Sequence, residues 1–461
     1  MGRVRAVALL AVGVALIGAS WFGPSGCAKA TDARLDGAVL IVLDTLRADG
    51  LSAYGNPRPT SPRIDALAER SVLFERAVSA ASWTLPGFAG LLSGRYPTAR
   101  VLDGRLQISL VEPLRDAGFH TAAFTEGGYV STFFGMNRGF VAFSEQEGAV
   151  ELKVGDLRLN QQGGGIEVTF RSAEEWLAEQ RDSRFFLMVH SYEVHTPYRR
   201  LEYAAALERG VLPETFETDD ADRYATGAAP VGEVDLAYLR ALYDGGVAAA
   251  DREVGRLLDG LEALGLAERS LVVVTSDHGE DLGDRLPLRP GNHGHSLYDE
   301  LMLVPLIVHD PRPGAPVGRV AYQVRSVDVM PTILDLLGVP APEGLAGQSF
   351  AGLMRGEETG DRPAYARIQN AGVREMVRDG SHKLIRNVFP IVPSIELYDL
   401  AEDPAESRSL AEQRPERLAE LGAVLGELRS SIAEEGPPSY APQQKVPAEL
   451  RERLEALGYA Q

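Results

Sequence analysis

A regular alternation of short apolar runs with longer amphipathic segments constrains the fold most. The apolar runs are rich in Val, Ile, Leu and Phe and are typical of buried strands; they span 37–44, 120–126, 184–193, 270–280 and 301–310. The segments with helical spacing span 61–71, 110–118, 172–182 and 242–265. This order predicts an α/β fold with a central mixed, mostly parallel sheet that is covered by helices on both faces.

Two of the predicted strands run into aspartates, Asp44 and Asp277, and His278 follows the second directly. In α/β folds, functional groups gather at the carboxyl ends of the strands. A lone buried carboxylate is costly, so a divalent metal ion is an expected partner. Carboxylates with one imidazole favour Zn²⁺ or Mn²⁺ over Ca²⁺, while Ca²⁺ and Mg²⁺ stay open. The alternative is that Asp44 and Asp277 cap following helices.

The stretch ASWTLPGFAGLLSGRYP, at 81–97, has the outline of a hydrolase nucleophile loop that runs into a helix. Its reactive position holds Thr84, and the one cysteine of the chain, Cys27, lies far away in sequence. A threonine hydroxyl can act as a nucleophile when a base or a metal ion activates it. Thr84 is therefore a candidate catalytic residue.

The composition of the chain argues against nucleic acid as a binding partner. The chain has 461 residues and a formal net charge of -19, from 65 acidic and 46 basic residues. It contains no run of Lys and Arg that could follow a phosphate backbone, which argues against nucleic acid as a partner. The length suits one large domain with a smaller one.

The N-terminus, residues 1–27, has the pattern of an export signal. Arg3 and Arg5 precede the apolar run VALLAVGVALIGASWF, which is short for a membrane span. The sequence SGC then ends at Cys27, as in bacterial lipoprotein processing sites. We expect a periplasmic or other extracytoplasmic protein that is tethered to a membrane through lipidated Cys27. The alternatives are an uncleaved or ordinarily cleaved signal and an intracellular apolar helix.

Several longer stretches occur in a familiar order from about residue 38 to the C-terminus: LIVLDTLRADG (40–50), VTSDHGED (274–281), HGHSLYDELMLVPLIV (293–308), VRDGSHKLIRN (377–387) and RERLEALGY (451–459). Together they resemble bacterial sulfatases of the alkaline phosphatase superfamily. The resemblance implies an alkaline-phosphatase-like sandwich, with a hydrolase domain over 37–356 and a smaller C-terminal α+β subdomain over 361–461.

The resemblance also implies roles for individual residues. Asp44, Asp277 and His278 match the metal ligands of the family. Thr84 falls where sulfatases place the cysteine or serine that is oxidised to formylglycine, in a C-x-P-S-R pattern. Pro86 keeps the frame of this pattern, but Phe88 stands in place of its arginine.

Two further departures concern the metal site. Thr45 stands where many sulfatases have a second acidic ligand, and His278 replaces the usual asparagine. Both changes resemble branches of the superfamily that act on phosphorus esters, among them phosphodiesterases, phosphonate monoester hydrolases and membrane phospho-alcohol transferases. Several of these use an unmodified threonine as nucleophile, so Thr84 is expected to bind the metal ion as well.

Two histidine sites are expected to complete the pocket. His195, in HSYEVHTPY, matches the family histidine that contacts the sulfuryl or phosphoryl oxygen. His293 begins HGHSLYDE, where relatives present a basic residue to the substrate or leaving group. Either could act as a general acid, because imidazole titrates near neutrality. The neighbouring His190 and His295 are interpreted as structural.

These features predict an exported, metal-dependent hydrolase in which Thr84 attacks a phosphoester or phosphonate ester. The substrate would be a small molecule or a headgroup, and an alcohol in place of water would make the protein a phosphoryl transferase. One alternative is a sulfuric ester hydrolase. A second alternative, suggested by Phe88, is a metal-stabilised binding protein without activity. The sequence leaves the oligomeric state open.

Overall fold

A computed structural model describes the chain from residue 34 to residue 457. Within that range it leaves out residues 146–150, 155–156, 161–164, 218–219, 221–222, 225–230, 286–291, 370–371, 390–392, 434–435 and 441–443. The predicted export signal and Cys27 lie outside the described residues. Within the described part, no helix combines the length and apolar character needed to cross a membrane.

An eight-stranded sheet forms the centre of the molecule, in the strand order β10-β2-β9-β8-β1-β7-β3-β4. Strand β9 pairs antiparallel with β2 and β8, and the other five pairs are parallel. Strands β5 and β6 form a separate hairpin. In chain order the strands are β1 (Gly37–Leu43), β2 (Val72–Val78), β3 (His120–Thr125), β4 (Ala142–Glu145), β5 (Glu151–Val154), β6 (Leu157–Asn160), β7 (Phe185–Ser191), β8 (Ser270–Thr275), β9 (Leu303–His309) and β10 (Gly318–Arg325).

Ten α-helices lie in the described part of the chain: α1 (Pro62–Ala68), α2 (Thr84–Ser93), α3 (Val111–Asp116), α4 (Ile166–Ala178), α5 (Glu233–Ala263), α6 (Asp299–Met302), α7 (Val329–Leu336), α8 (Ala351–Met354), α9 (Pro415–Ala433) and α10 (Ala448–Ala456). Two of them begin earlier than the sequence pattern predicts. The helix expected at 172–182 begins at Ile166, and the one expected at 242–265 begins at Glu233.

Strand β1 shows why the sheet is covered on both faces. All seven of its residues are buried. Successive side chains in a strand point to opposite faces, and here Leu40 and Val42 join one hydrophobic cluster while Val39 and Ile41 join the other. A strand buried on both faces is apolar without alternation, which is the pattern seen in the sequence. The predicted mixed, mostly parallel sheet flanked by helices is confirmed.

The smaller C-terminal part contains a four-stranded antiparallel sheet with α9 packed against it. Its strands are β11 (Ala364–Ile368), β12 (Val373–Asp379), β13 (His382–Phe389) and β14 (Ser394–Asp399). Val377, Leu384 and Leu397 of this sheet share a hydrophobic cluster with Leu421 and Leu425 of α9. The predicted C-terminal α+β subdomain is therefore confirmed as a fold feature.

The register of the central strands brings their carboxyl ends to one edge of the sheet. Leu43, the last residue of β1, pairs with Ser191 of β7, and Val42 pairs with Thr275 of β8. Residues that directly follow these strands therefore lie side by side. This edge carries the site described next.

Candidate active site

Asp44 and Asp277 form the acidic centre of the site. Asp44 directly follows β1, Asp277 lies two residues beyond β8, and both are fully buried. Burial, and then the negative charge of Asp277, raises the pKa of Asp44 well above its usual range. Burial likewise raises the pKa of Asp277. No side-chain cap holds the short helix at Ala48–Gly50, and no helix begins within the described residues 278–285, so the capping alternative is wrong.

His278 completes a group of three possible metal ligands with the two aspartates, all within 4.8 Å of one another. Burial lowers the pKa of His278, and the charge of His293 lowers it further, which leaves a neutral imidazole able to bind a metal ion. Oδ1 of Asp44 and Oδ2 of Asp277 are buried and accept no hydrogen bond within the described part of the chain. Two carboxylates with such oxygens and one imidazole fit a divalent cation.

Thr84 is the first residue of α2 and is fully buried. Its Oγ1 lies 3.2 Å from Oδ2 of Asp44 and 3.3 Å from Nε2 of His278. Gly87 in the same helical turn permits this approach, since a methyl group there would lie 2.9 Å from the carbonyl oxygen of Asp277. The fold thus brings together all four predicted metal-site residues: Asp44, Thr84, Asp277 and His278.

His190 is closer to the acidic centre than the sequence reasoning expected. It is fully buried on β7, and its Nε2 lies 3.3 Å from Oδ2 of Asp44. The ring of Phe88, the residue in place of the motif arginine, contacts the His190 ring edge to face at 5.0 Å between centroids. The parallel pairing of His190 with Val42, two residues before Asp44, is the signal that would have identified it.

His195 and His293 lie next to the metal-ligand group. The ring of His293 is 4.5 Å from that of His278 and 4.8 Å from that of His195. Burial and the charge of His293 lower the pKa of His195 to about 4, and burial and the charge of His295 lower the pKa of His293 to about 3. The expectation that either titrates near neutrality is therefore wrong. Both are neutral imidazoles that can donate one hydrogen bond and accept another.

Two further buried acidic residues lie here: Glu280, which the sequence reasoning missed, and Glu126, which it interpreted as solvating a glycine loop, with a place in the pocket as the alternative. Glu280 accepts a hydrogen bond from the hydroxyl of Tyr198 at 2.9 Å, and its Oε1 lies 3.1 Å from Nδ1 of His293. Glu126 accepts hydrogen bonds from the side chain of Ser191 and the backbone of Tyr192. Burial raises the pKa of each to about 7. Glu126 directly follows β3, and Glu280 lies in the loop after β8; a position beyond a strand that ends at the site is the signal that could have identified Glu280 as well.

Residues 38–339 match the Sulfatase family, and residues 293–431 match the family described as N-sulphoglucosamine sulphohydrolase, C-terminal. The ulvan-active sulfatase of Formosa agariphila is 26% identical over 339 residues, which cover 69% of this chain and 64% of that protein. The chain therefore spans less than two thirds of that relative's length.

Two of the solved structures that share the fold illustrate the likeness. One is a protein in complex with its substrate D-glucosamine-2-N,6-O-disulfate, with a TM-score of 0.71, 19% identity and coverage of 88% of this chain and 99% of the other. The second is the phosphonate monoester hydrolase of Agrobacterium radiobacter, with a TM-score of 0.68, 23% identity and coverage of 87% and 96%. The Sulfatase family match covers more than half of the chain, including most of the central sheet, and the chain therefore belongs to the sulfatase family.

Proposed function

We propose that this protein is a metal-dependent hydrolase in which the Thr84 hydroxyl attacks a phosphoester or phosphonate ester. One observation carries the proposal: Oγ1 of Thr84 lies 3.2 Å from Asp44 and 3.3 Å from His278. An unmodified hydroxyl thus stands among the candidate metal ligands. Formylglycine would require cysteine or serine at that position.

The residue type favours phosphorus over sulfur. A sulfated formylglycine hydrate can release sulfate by collapsing to the aldehyde, with cleavage of a C–O bond. A threonine ester cannot collapse in this way, so it must be cleaved by attack at sulfur or phosphorus. In the proposed reaction, Oγ1 of Thr84 forms a bond to phosphorus as the bond to the leaving alcohol breaks and that alcohol takes a proton. Water then attacks phosphorus, and the threonine hydroxyl is restored with a proton. An acceptor alcohol in place of water would make the reaction a transfer.

Asp44, Asp277, His278 and Thr84 are the proposed ligands, and a divalent ion bound there would supply Lewis-acid stabilisation of negative charge. Zn²⁺ or Mn²⁺ suits this mixed donor set best, with Ca²⁺ and Mg²⁺ as alternatives. The Asp44 carboxylate also lies within hydrogen-bonding distance of the Thr84 hydroxyl and can orient it. The neutral His195 and His293 are proposed to donate hydrogen bonds to the phosphoryl oxygens or to the leaving oxygen.

The structural neighbours are consistent with both chemistries on this fold. One is a phosphonate monoester hydrolase, and another binds a small sulfated sugar. We therefore propose a small-molecule or headgroup ester as substrate. Hydrolysis of a sulfuric ester is the second candidate, which the name of the ulvan-active relative favours.

Steady-state rates on matched aryl esters separate these candidates. The panel contains an aryl sulfate, a phosphate monoester, a phosphate diester and a phosphonate monoester with the same leaving group. We expect the highest kcat/KM on one of the phosphorus esters. A clear preference for the sulfate would refute the phosphorus assignment, and no turnover of any ester by the metal-loaded protein would favour the inactive binding protein.

Rapid quench with an activated phosphodiester, followed by mass spectrometry, tests the nucleophile. We expect a phosphorylated peptide over residues 77–95 that is lost in Thr84→Ala. Thr84→Ser, which keeps a hydroxyl, is the matched control and should retain the adduct. An unmodified peptide during measurable turnover contradicts the mechanism.

We also propose that the chain is exported and tethered through Cys27, on the basis of the N-terminal sequence alone. Fractionation of cells that express the full chain tests this proposal. Wild type should sediment with membranes, and Cys27→Ser should move to the soluble extracytoplasmic fraction. Equal distribution of the two proteins would contradict lipidation.

A further inference from the structure

The C-terminal segment, defined here as residues 436–440 and 444–457, lies beside the candidate site rather than extending away from the molecule. Three backbone hydrogen bonds hold its first part against the main domain: Ala99 N to Gly436 O at 3.1 Å, Ser439 N to Leu102 O at 3.1 Å and Gly104 N to Ser439 O at 2.8 Å. The sequence motif RERLEALGY begins in this segment, and the proposed mechanism assigns it no role.

Two side chains anchor the segment next to the nucleophile. The ring of Tyr440 meets that of Trp83 edge to face, with 5.0 Å between centroids, and Trp83 immediately precedes Thr84. Leu454 on α10 is only 7% exposed and belongs to the hydrophobic cluster that contains Trp83. The segment is therefore packed into the domain, and it borders the helix that carries Thr84.

The last turn of α10 reaches the glycine pair at 127–128, beyond the end of β3. A methyl group at Gly128 would lie 2.8 Å from the hydroxyl of Tyr192 and 3.1 Å from Leu457. A methyl group at Gly127 would lie 3.2 Å from Nη1 of Arg453. The Arg453 guanidinium therefore covers the backbone next to Glu126. Tyr192 links this region to the site histidines, because its ring lies 4.6 Å from that of His190 and 5.5 Å from that of His195.

Arg453 is half-buried and forms no ion pair within 4.0 Å in the described part of the chain. Arg47 differs, because it pairs with Asp49 at 2.7 Å and with Asp284 at 2.6 Å. Glu145 and Glu126 are acidic groups near Gly127: Oε2 of Glu145 lies 3.5 Å from the same methyl position, and the charge of Arg453 opposes the rise in the pKa of Glu126 that burial causes.

The charge of Arg453 also acts on the site. Burial lowers the pKa of His190, and the charges of His195 and Arg453 lower it further. The C-terminal segment thus places a guanidinium within electrostatic range of His190, and the nucleophile helix of this site has Phe88 in place of the motif arginine.

We propose that the C-terminal segment forms a wall of the substrate pocket and that Arg453 binds an anionic group, such as a carboxylate, on the alcohol half of the ester. This inference rests on the proposed ester substrate but not on its turnover. Arg453 lies beyond Tyr192 from His190, so it would contact the outer part of the substrate and not the reacting phosphorus. A guanidinium whose N–H donors have no protein acceptor among the described residues is well suited to a carboxylate.

Two esters of equal size test the charge preference: 4-carboxyphenyl phenylphosphonate and its 4-carbamoylphenyl analogue, which keeps the phosphonate charge but lacks the carboxylate. Their dissociation constants are measured by calorimetry on the full metal-loaded chain with Thr84→Ala, so that no turnover intervenes. We expect the carboxylate ester to bind about tenfold more tightly, because a charge-assisted hydrogen bond has this order of effect. Added Arg453→Gln should abolish the preference, and Arg453→Lys should retain part of it.

Arg451→Gln is the matched control, since Arg451 is exposed on the same helix. It should leave the preference intact. Equal binding of the two esters before the Arg453 change, or a preference that survives Arg453→Gln, overturns the inference. Equal weakening of both esters would show a merely structural role and also overturns it. Wild-type turnover of the carbamoyl ester, measured separately, reports on the proposed function alone.

Discussion

Glu126 directly follows β3, and its carboxyl group accepts hydrogen bonds of 2.7 Å from Ser191 and 3.0 Å from the Tyr192 backbone. Burial nevertheless raises its pKa to about 7. The pKa of a glutamate in an unfolded chain is about 4.3. Between these two values the folded state holds a proton that the unfolded state has released. The stability contribution of Glu126 is therefore fully present below about pH 4.3 and is lost as the pH rises through 7.

Replacing Glu126 by glutamine should remove this pH dependence. The free energy of unfolding of Glu126→Gln, relative to wild type, should rise by about 2 kcal/mol between pH 5 and pH 8. Urea unfolding at both pH values measures the difference. Glu427→Gln, at an exposed position on α9, is the control: it measures how much a glutamate-to-glutamine change alters the pH dependence of unfolding where the side chain is not buried. A Glu126→Gln difference that stays constant across this range would contradict the assignment.

At the scale of elements, Lys383 joins the C-terminal sheet to the main domain. It lies on β13 and is fully buried, with Nζ 2.7 Å from Oδ1 of Asp299 and 2.9 Å from Oε1 of Glu406. Asp299 is the first residue of α6, and its backbone N–H donates to Glu406 at 2.6 Å. The carbonyl groups of α6 accept hydrogen bonds from the loop that follows His278: Gly279 N to Leu301 O at 2.9 Å and Glu280 N to Glu300 O at 3.1 Å.

Removing the lysine alone should lower the free energy of unfolding more than removing both members of the charge pair. Lys383→Met leaves the buried Glu406 carboxylate without its main cation, and we expect a loss of about 3 kcal/mol in the free energy of unfolding. Lys383→Met combined with Glu406→Gln should recover part of that loss, because the uncompensated charge is gone. Urea unfolding of the three proteins measures both effects. A double variant as unstable as the single variant would contradict the charge explanation.

At the scale of the whole molecule, the acidic centre couples ion binding to stability. Without a divalent ion, Asp44 and Asp277 repel each other in a buried environment, so Asp277→Asn should unfold at a higher temperature than wild type in a chelator. With excess Zn²⁺ or Mn²⁺, wild type should unfold at a higher temperature than Asp277→Asn. An ion at one hundred times its dissociation constant stabilises the folded wild type by about 2.7 kcal/mol.

Thermal unfolding with chelator and with added metal measures this reversal. Asp49→Asn is a suitable control, because Asp49 lies near the same strand end but pairs with Arg47. An identical melting temperature of wild type with and without metal would show that the acidic centre does not bind the ion under those conditions.

Elements with an uninterrupted local pattern were predictable from the chain alone. β1 and β8 each contain an unbroken apolar run and both form strands, although β8 ends at Thr275 and not at the predicted residue 280. β2 was not predicted, because its pairing with β9 shifts register between Phe74 and Ala77 and leaves Glu75 exposed within the strand. Such a bulge breaks the regular pattern on which prediction from sequence depends.

By itself, the sequence determined the α/β order, the aspartates at the strand ends and a family frame that aligns Thr84 with the formylglycine position. It did so because periodicity and motif spacing are local properties of the chain. Only the tertiary structure decided that Nε2 of His190 lies 3.3 Å from Oδ2 of Asp44 and that Arg453 lies against Gly127. The neutral state of His195 likewise follows from burial. Proximity and desolvation arise from contacts between segments far apart in sequence, and these contacts exist only in the packed molecule.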